Sequence, residues 1–318
     1  MPAIKNHPVI CLLGPTAAGK TDLAMKLVDR FDAEIISVDS AQIYKEMDIG
    51  TGKPGPELLA TYPHRLIDIL DPSQRYSASD FRNDALAEIA AVQNAGKFPL
   101  LVGGTMLYFK ALRDGLAEMP TADPAVREEI ESIAAQSGWQ AVHDRLAEVD
   151  PEAAARIHPN DPQRLQRALE VYLLTGKSLT AHHQTGAPGG SKPPVGPPDL
   201  QFFAIQPPDR GVLHERIEAR FHKMLANGLL EEVESLYRRG DLSPALPSIK
   251  SVGYRQVWQY LDGELDYDGM VERSIIATRQ LAKRQLTWLR SWPNLRHLSE
   301  SPADSIDSIL NYVDSIAI

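Results

Sequence analysis

One cysteine, Cys11, stands in a chain of 318 residues. A lone thiol excludes an internal disulfide framework and leaves a thiolate-built zinc site without its ligands, a usage that fits a reducing cytoplasm. Long apolar runs are also missing. No stretch approaches the roughly 18 residues of a membrane span, and the first run, Val9 to Leu13, lacks the basic flank, long apolar core and cleavage site of a secretory leader, so neither is expected. Positive charge is in deficit: 33 lysines and arginines against 42 acidic residues give a formal charge of −9. That excludes nucleic-acid binding by a diffuse basic surface but leaves a local basic groove open. The histidines at 64, 182, 183 and 297 show no spacing that suggests a metal centre. What remains, 43% apolar and 24% charged residues, is the composition of a soluble globular protein, and at about 150 residues per domain it suggests two domains.

The apolar runs are short and alike. Val9-Ile10-Cys11-Leu12-Leu13 leads into glycine, Ile35-Ile36-Ser37-Val38 into Asp39-Ser40, and Pro99-Leu100-Leu101-Val102 into Gly103-Gly104-Thr105. Runs that deliver polar or glycine residues at their carboxyl ends are what a parallel α/β sheet presents at its ligand edge. A short strand over 64–70 and a helix over 79–94 fit between them. From about Pro120 the pattern turns helical, over 124–135, over 139–147, and from Pro162 with Asp161 as cap. Between Gly186 and Pro198, nine of thirteen residues are glycine or proline, which predicts a mobile connector. A return strand over 201–206 precedes helices over 213–239, 254–261 and 270–292, the last closed by Pro293. The expected architecture is a P-loop NTPase-like parallel sheet formed by residues 1–119 and 200–318, with a helical insertion over 120–199 and C-terminal basic helices.

Gly14-Pro15-Thr16-Ala17-Ala18-Gly19-Lys20-Thr21 matches the G-x-x-x-x-G-K-[ST] pattern in the context that gives it meaning, after a strand and opening a helix. Backbone N–H groups of such a loop cradle phosphoryl oxygens, Lys20 adds a point charge and Thr21 offers a hydroxyl to Mg²⁺. The loop names a phosphate ligand and not the acceptor. A P-loop kinase using ATP, with Asp39 as base or magnesium partner, is one reading. A nucleotide-gated RNA-binding protein without chemistry is another, but it leaves Asp39 and Thr105 without a purpose.

Further along, the chain closely resembles the bacterial tRNA dimethylallyltransferases, also called tRNA isopentenyltransferases. The resemblance runs through the glycine loop, Asp39-Ser40-Ala41-Gln42-Ile43-Tyr44, Met47-Asp48-Ile49-Gly50-Thr51, Gly103-Gly104-Thr105-Met106-Leu107-Tyr108, His158-Pro159-Asn160-Asp161, Arg164 to Glu170, Gly253-Tyr254, and Thr278 to Gln285. Pro63 stands where many relatives carry a second histidine beside His64. The resemblance implies transfer of a dimethylallyl group from dimethylallyl diphosphate to N6 of adenosine 37, in tRNAs reading codons that begin with U. It implies that the loop, Gly14 to Thr21, holds the donor's diphosphate with Mg²⁺ near Thr21, and that Arg220 is a second cation on it. Asp39 would take the N6 proton and Thr105 would position the donor. Base flipping into an open channel follows.

By the same resemblance the tRNA anticodon arm meets Asp39, Ser40, Ala41 and Gln42, then Gln163, Arg164, Leu165, Gln166 and Arg167, and then Lys250, Ser251, Val252, Gly253, Tyr254 and Arg255. Charge arithmetic adds the C-terminal helix, where residues 271–296 carry a net +5 inside a protein of −9. Val271, Ile275, Thr278, Ala282 and Leu289 can face the domain, leaving Arg279, Lys283 and Arg290 on a neighbouring stripe, with Arg279 and Lys283 the expected phosphate contacts. Arg164 and Arg167, one turn apart, are expected to point together. A monomer is expected, because no spare apolar stripe is found.

Overall fold

The computed structural model describes residues 7–117, 119–185, 198–207, 209–299 and 302–316. Six strands, β1 (Val9–Leu13), β2 (Ala33–Val38), β3 (His64–Arg65), β4 (Phe98–Gly103), β5 (Leu200–Ile205) and β6 (Arg296–Leu298), form a sheet in the order β3-β2-β4-β1-β5-β6, every pairing parallel. Helices α1 (Lys20–Val28), α2 (Pro56–Thr61), α3 (Ala78–Asn94) and α4 (Met106–Asp114) lie between the first strands. Then come α5 (Pro124–Val149), α6 (Pro151–Arg156), α7 (Pro162–Thr175) and α8 (Leu179–Thr185), followed after β5 by α9 (Arg210–Ala226), α10 (Leu229–Arg238), α11 (Tyr254–Leu261), α12 (Tyr267–Arg290) and, after β6, α13 (Pro302–Ile316). The chain divides into two compact units, Met1–Arg113 with Pro198–Ile318, and Asp114–Pro197.

β1 is covered on both faces, which is why its sequence is apolar without alternation. Val9, Cys11 and Leu13 pack with Phe81 and Ile89 of α3 and Met106 and Phe109 of α4, whereas Ile10 and Leu12 pack with Leu23 and Leu27 of α1 and Ile306, Ile309 and Val313 of α13. Burial of side chains this size contributes about 1.5–3 kcal/mol each, more than the roughly 1 kcal/mol span of strand propensity. Burial therefore decides the element. β1 and β4 are neighbours, yet the helices that follow them, α1 and α4, cover opposite faces. Between two such strands the loops diverge and leave a crevice at the carboxyl edge.

Several expectations change. The helix expected over 213–239 stops at Ala226 and restarts at Leu229, because Asn227 folds its N–H back on Lys223 and Met224 and Gly228 takes a φ of 99°. The helices expected over 124–135 and 139–147 run together as α5 around a kink at Gly138. The elements expected from the sequence end at Pro293 and omit β6 and α13. β6 is a three-residue edge strand with two exposed residues, too short and too polar to register as an apolar run. Residues 186–197 of the expected mobile connector lie outside the described residues.

In the second unit, Ile130 and Val142 of α5 and Leu165, Ala168 and Leu169 of α7 form a core of their own. Fully buried Glu170 accepts from Nε of Arg127 at 2.8 Å, Nη1 of Arg167 at 2.6 Å and the N–H of Asp123 at 3.0 Å. Burial pushes its carboxyl up, but the two guanidinium groups prevail and hold it below the usual carboxylate range.

Candidate active site

The glycine loop leaves β1 at Gly14 and ends at Gly19, the N-cap of α1. Among the described residues, no acceptor meets the N–H groups of residues 17 to 21. The N–H of Thr16, in contrast, is already given to Oε1 of Gln285 at 2.9 Å, so the expected cradle shortens by one donor. Lys20 folds back over its own loop, donating to the carbonyl oxygens of Gly14 at 3.0 Å and Pro15 at 2.7 Å.

The ends of β2 and β4 meet beside this loop. Val38 is in register with Gly103, and the approach is so close that a Cβ on Gly103 would lie 2.0 Å from the Val38 carbonyl oxygen. Glycine is obligatory there. The contact carries Thr105 to β2: its N–H donates to Val38 O at 3.2 Å and its Oγ1 accepts the N–H of Ser40 at 3.0 Å. Asp39 folds its Oδ1 over the N–H groups of Ala41 at 2.9 Å and Gln42 at 3.4 Å, and among the described residues Oδ2 meets no donor. One carboxylate oxygen is thereby held in a local turn and the other is presented. The hydroxyl of Thr105 supports the turn that follows Asp39.

Loop, strand ends and helices enclose a cavity of about 670 Å³, lined among others by Lys20, Thr21, Asp39, Thr105 and Arg220. Burial pulls Lys20 down to about 8; the carboxylate of Asp39 works against that, and Arg220 adds to it. Arg220, on α9, is itself lowered by burial and partly restored by Asp39. Lys20 and Arg220 thus flank Asp39 in a pocket that disfavours uncompensated positive charge and whose lining holds more cations, with Lys250 and Arg284, than carboxylates, with Asp22 and Asp39, which is the electrostatic signature of an anion site.

Helix α12 has two lining faces. Thr278, Leu281, Arg284, Gln285 and Trp288 border this cavity. Arg279, Lys283 and Arg290 instead border a second cavity of about 380 Å³ with Arg210 and His214. Arg279 is also paired with Glu218 at 2.6 Å. Gln285 matters most for geometry. Only 8% exposed, it accepts from Thr16 and donates its Nε2 to the Gly104 carbonyl at 2.9 Å, tying the glycine loop to the end of β4. Gln285→Leu is expected to cost about 1–3 kcal/mol for each backbone group left unpaired, seen as a lower urea midpoint at unchanged slope. An unchanged midpoint would deny the tie.

The expected RNA contacts are distributed unevenly. Asp39, Ser40, Ala41 and Gln42, and Lys250 through Tyr254, border the first cavity, with Lys250 exposed at its edge. Arg255 is exposed but outside the lining, and Tyr254 is buried. In the second unit, Gln163 and Arg164 are exposed, Arg164 at 72%. Leu165 is fully buried in that unit's core and cannot itself touch a ligand without unfolding it. Gln166 bonds Glu131 at 2.8 Å. Arg164 and Arg167 do not point together: Arg167 turns inward to Glu170 and to the Pro120 carbonyl, because a buried carboxylate demands cations. Sequence reasoning misses Arg284, Gln285 and Trp288 as site residues, although the Thr278 to Gln285 motif contains the first two.

Fold and site together define an α/β protein with a parallel sheet whose strand ends enclose an anion-receptive cavity containing one presented carboxylate. The profile of the IPP transferase family matches residues 42–292, and that of isopentenyl transferase matches residues 7–70. The tRNA dimethylallyltransferase of Thioalkalivibrio sulfidiphilus is 61% identical over 304 residues, covering 96% of this chain and 93% of that protein. The chain belongs to the IPP transferase family, of bacterial type. Among solved structures it is similar to the full-length tRNA isopentenylpyrophosphate transferase of Bacillus halodurans, with 36% identity, coverage of 98% and 96%, and a TM-score of 0.67. A eukaryotic dimethylallyltransferase acting on tRNA is 26% identical over 98% of this chain and 78% of that one, with a TM-score of 0.76.

Proposed function

We propose that this protein transfers a dimethylallyl group from dimethylallyl diphosphate to N6 of adenosine 37 in tRNAs reading codons that begin with U. Transfer of that group to a tRNA adenosine, by an enzyme of the prenyltransferase class, follows from membership of the family. The position and codon preference are the proposal. The observation that supports this cavity as the place of the transfer is the convergence there of a P-loop-like loop with free N–H groups, the cations Lys20 and Arg220, a presented carboxylate and the Lys250–Tyr254 rim.

In this reading N6 attacks the first allylic carbon, the N–C bond forms as the C–O bond breaks, and the bonding pair leaves on the diphosphate. The N–H groups of residues 17 to 21, Lys20 and Arg220 act where that negative charge develops. The N6 proton passes to Oδ2 of Asp39, held by the turn that Thr105 supports. A stacked base cannot reach this cavity, so the adenosine leaves the stack. Among the described residues no cluster of three acids, histidines or cysteines could hold a metal alone. Mg²⁺ does not need one, since it keeps waters and takes phosphate oxygens. The Thr21 hydroxyl and the acid of Asp22 in the lining fit it. When bound, Mg²⁺ would neutralise charge on the leaving diphosphate.

The second unit is read as a clamp on the anticodon arm, with Gln163 and Arg164 toward the backbone. No helix among the described residues is long and apolar enough to cross a membrane; a cytoplasmic monomer is the proposed working form. The test is incubation with labelled dimethylallyl diphosphate, Mg²⁺ and undermodified tRNA, with ATP in a parallel reaction. Label in adenosine 37 without ATP is expected; strict ATP dependence without prenylated tRNA would replace the reading by a kinase. Neutralising Arg279 and Lys283 together is expected to weaken tRNA binding and flatten its dependence on log salt by about 0.7–0.9 for each phosphate no longer neutralised. An unchanged slope would place the RNA on another face.

A further inference from the structure

Glu232 lines neither cavity, yet its carboxylate collects four donors. Oε2 accepts the N–H groups of Asp48 at 2.9 Å and Ile49 at 2.7 Å, and Oε1 accepts the N–H of Gly50 at 3.1 Å and the hydroxyl of Tyr254. Three successive N–H groups converging on one anion form a backbone nest; here a side chain from α10 occupies it. The seat is tight, since a Cβ on Gly50 would lie 2.5 Å from the Tyr254 ring and 2.8 Å from Leu229. Two residues on, Gly52 has a φ of +64°, and a Cβ there would lie 1.8 Å from Nη2 of Arg220. The Gly52 carbonyl accepts from Nε2 of Gln42 at 3.4 Å, and Oε1 of Gln42 accepts from Ser37 at 3.1 Å, on β2, the strand that Asp39 follows.

We propose that Glu232 is a positioning residue for the transfer: by clamping residues 48–50 it fixes the backbone wall at Gly52 against which the Arg220 guanidinium rests, and so sets where that cation meets the donor's diphosphate. The inference rests on the reading of Arg220 as a diphosphate ligand. A carboxylate is required because both oxygens are used as acceptors; glutamine keeps one and turns an NH₂ toward an N–H or a hydroxyl. The loop has other ties that keep it folded without Glu232, since Lys53 donates to the Tyr44 carbonyl at 2.9 Å and pairs with Asp48 and Asp68 at 2.5 Å each, and Thr51 bonds the Met47 carbonyl at 2.7 Å.

The experiment is a double-mutant cycle on the full chain with E232Q, R220A and the pair, measuring KM for dimethylallyl diphosphate, kcat, and the Kd of inorganic pyrophosphate by calorimetry. E232Q is expected to raise the donor KM and the pyrophosphate Kd about tenfold, and the double variant is expected to be no worse than R220A, because both changes disable one cation. Effects that multiply, or an E232Q protein with lower thermal stability and unaltered donor KM, would overturn the proposal and leave Glu232 a structural residue. If E232Q does not fold, E232D keeps the charge and shortens the reach. It is then expected to show a smaller rise in donor KM, again absent in the R220A background; a rise that persists there overturns the proposal. A wild-type protein that neither transfers the group nor binds pyrophosphate would refute the functional reading instead, a result distinct from additivity in an active enzyme.

Discussion

Asp39→Asn is expected to lower the single-turnover rate by about 10²-fold or more while leaving donor and tRNA affinity near wild type, the usual scale for a positioned proton acceptor. The geometry makes this a clean substitution. Oδ1 of Asp39 holds the turn through Ala41 and Gln42, and an asparagine carbonyl oxygen can hold the same turn. What asparagine cannot do is take a proton on the second atom. Rapid-quench measurement of label transfer to tRNA, with filter binding of both substrates as control, tests it. Near-normal chemistry in the variant would remove Asp39 from the reaction, and a collapse of tRNA affinity would give it a binding role instead.

Donor affinity is expected to be level below pH 8 and to fall above it by up to tenfold per pH unit. The reason is Lys20, drawn to about 8 by burial. In the free protein the ammonium form is lost as pH rises through that value, whereas a bound diphosphate needs the charge and restores it, so binding takes up a proton on the alkaline side. The sign is diagnostic because ionisation of the diphosphate itself works the other way. Lys20→Met is expected to weaken the donor about 10- to 100-fold, the worth of a hydrogen bond to a charged group, and to abolish the alkaline fall. Calorimetric titration of pyrophosphate at pH 7, 8 and 9 reads both effects. A slope that survives in the variant would assign the titration elsewhere.

Much of this site lies open in the chain, and the reason is local. A loop of eight residues carries its own phosphate chemistry wherever a strand enters it and a helix leaves, and Asp39 and Thr105 stand at the ends of runs whose apolar continuity betrays burial on both faces. The parallel sheet follows from the same runs. The helix from Tyr254 to Leu261 is legible from its spacing, whereas the break at Asn227 and Gly228 is not, because the apolar spacing continues across it.

The residues that are not legible are those whose partners are remote. Gln285 reaches Thr16 across 269 positions, and Glu232 reaches Asp48 across 184; no periodicity or spacing links such pairs. Arg167 reads with Arg164 because both share a helix stripe, but the buried Glu170 claims it, and only a folded second unit makes that carboxylate buried.

The sequence by itself determined the buried strands β1, β2 and β4 and the glycine loop that follows the first of them, because strand burial and glycine turns are encoded within ten or so consecutive residues. The tertiary structure alone decided which groups act together. The register of Val38 with Gly103 brings Thr105 to the turn that follows Asp39, α9 supplies Arg220, and burial of Lys20, with Arg220 adding to it and Asp39 opposing it, lowers that lysine toward neutrality. Desolvation and electrostatic coupling depend on distances through space, and those exist only once the sheet has closed the cavity.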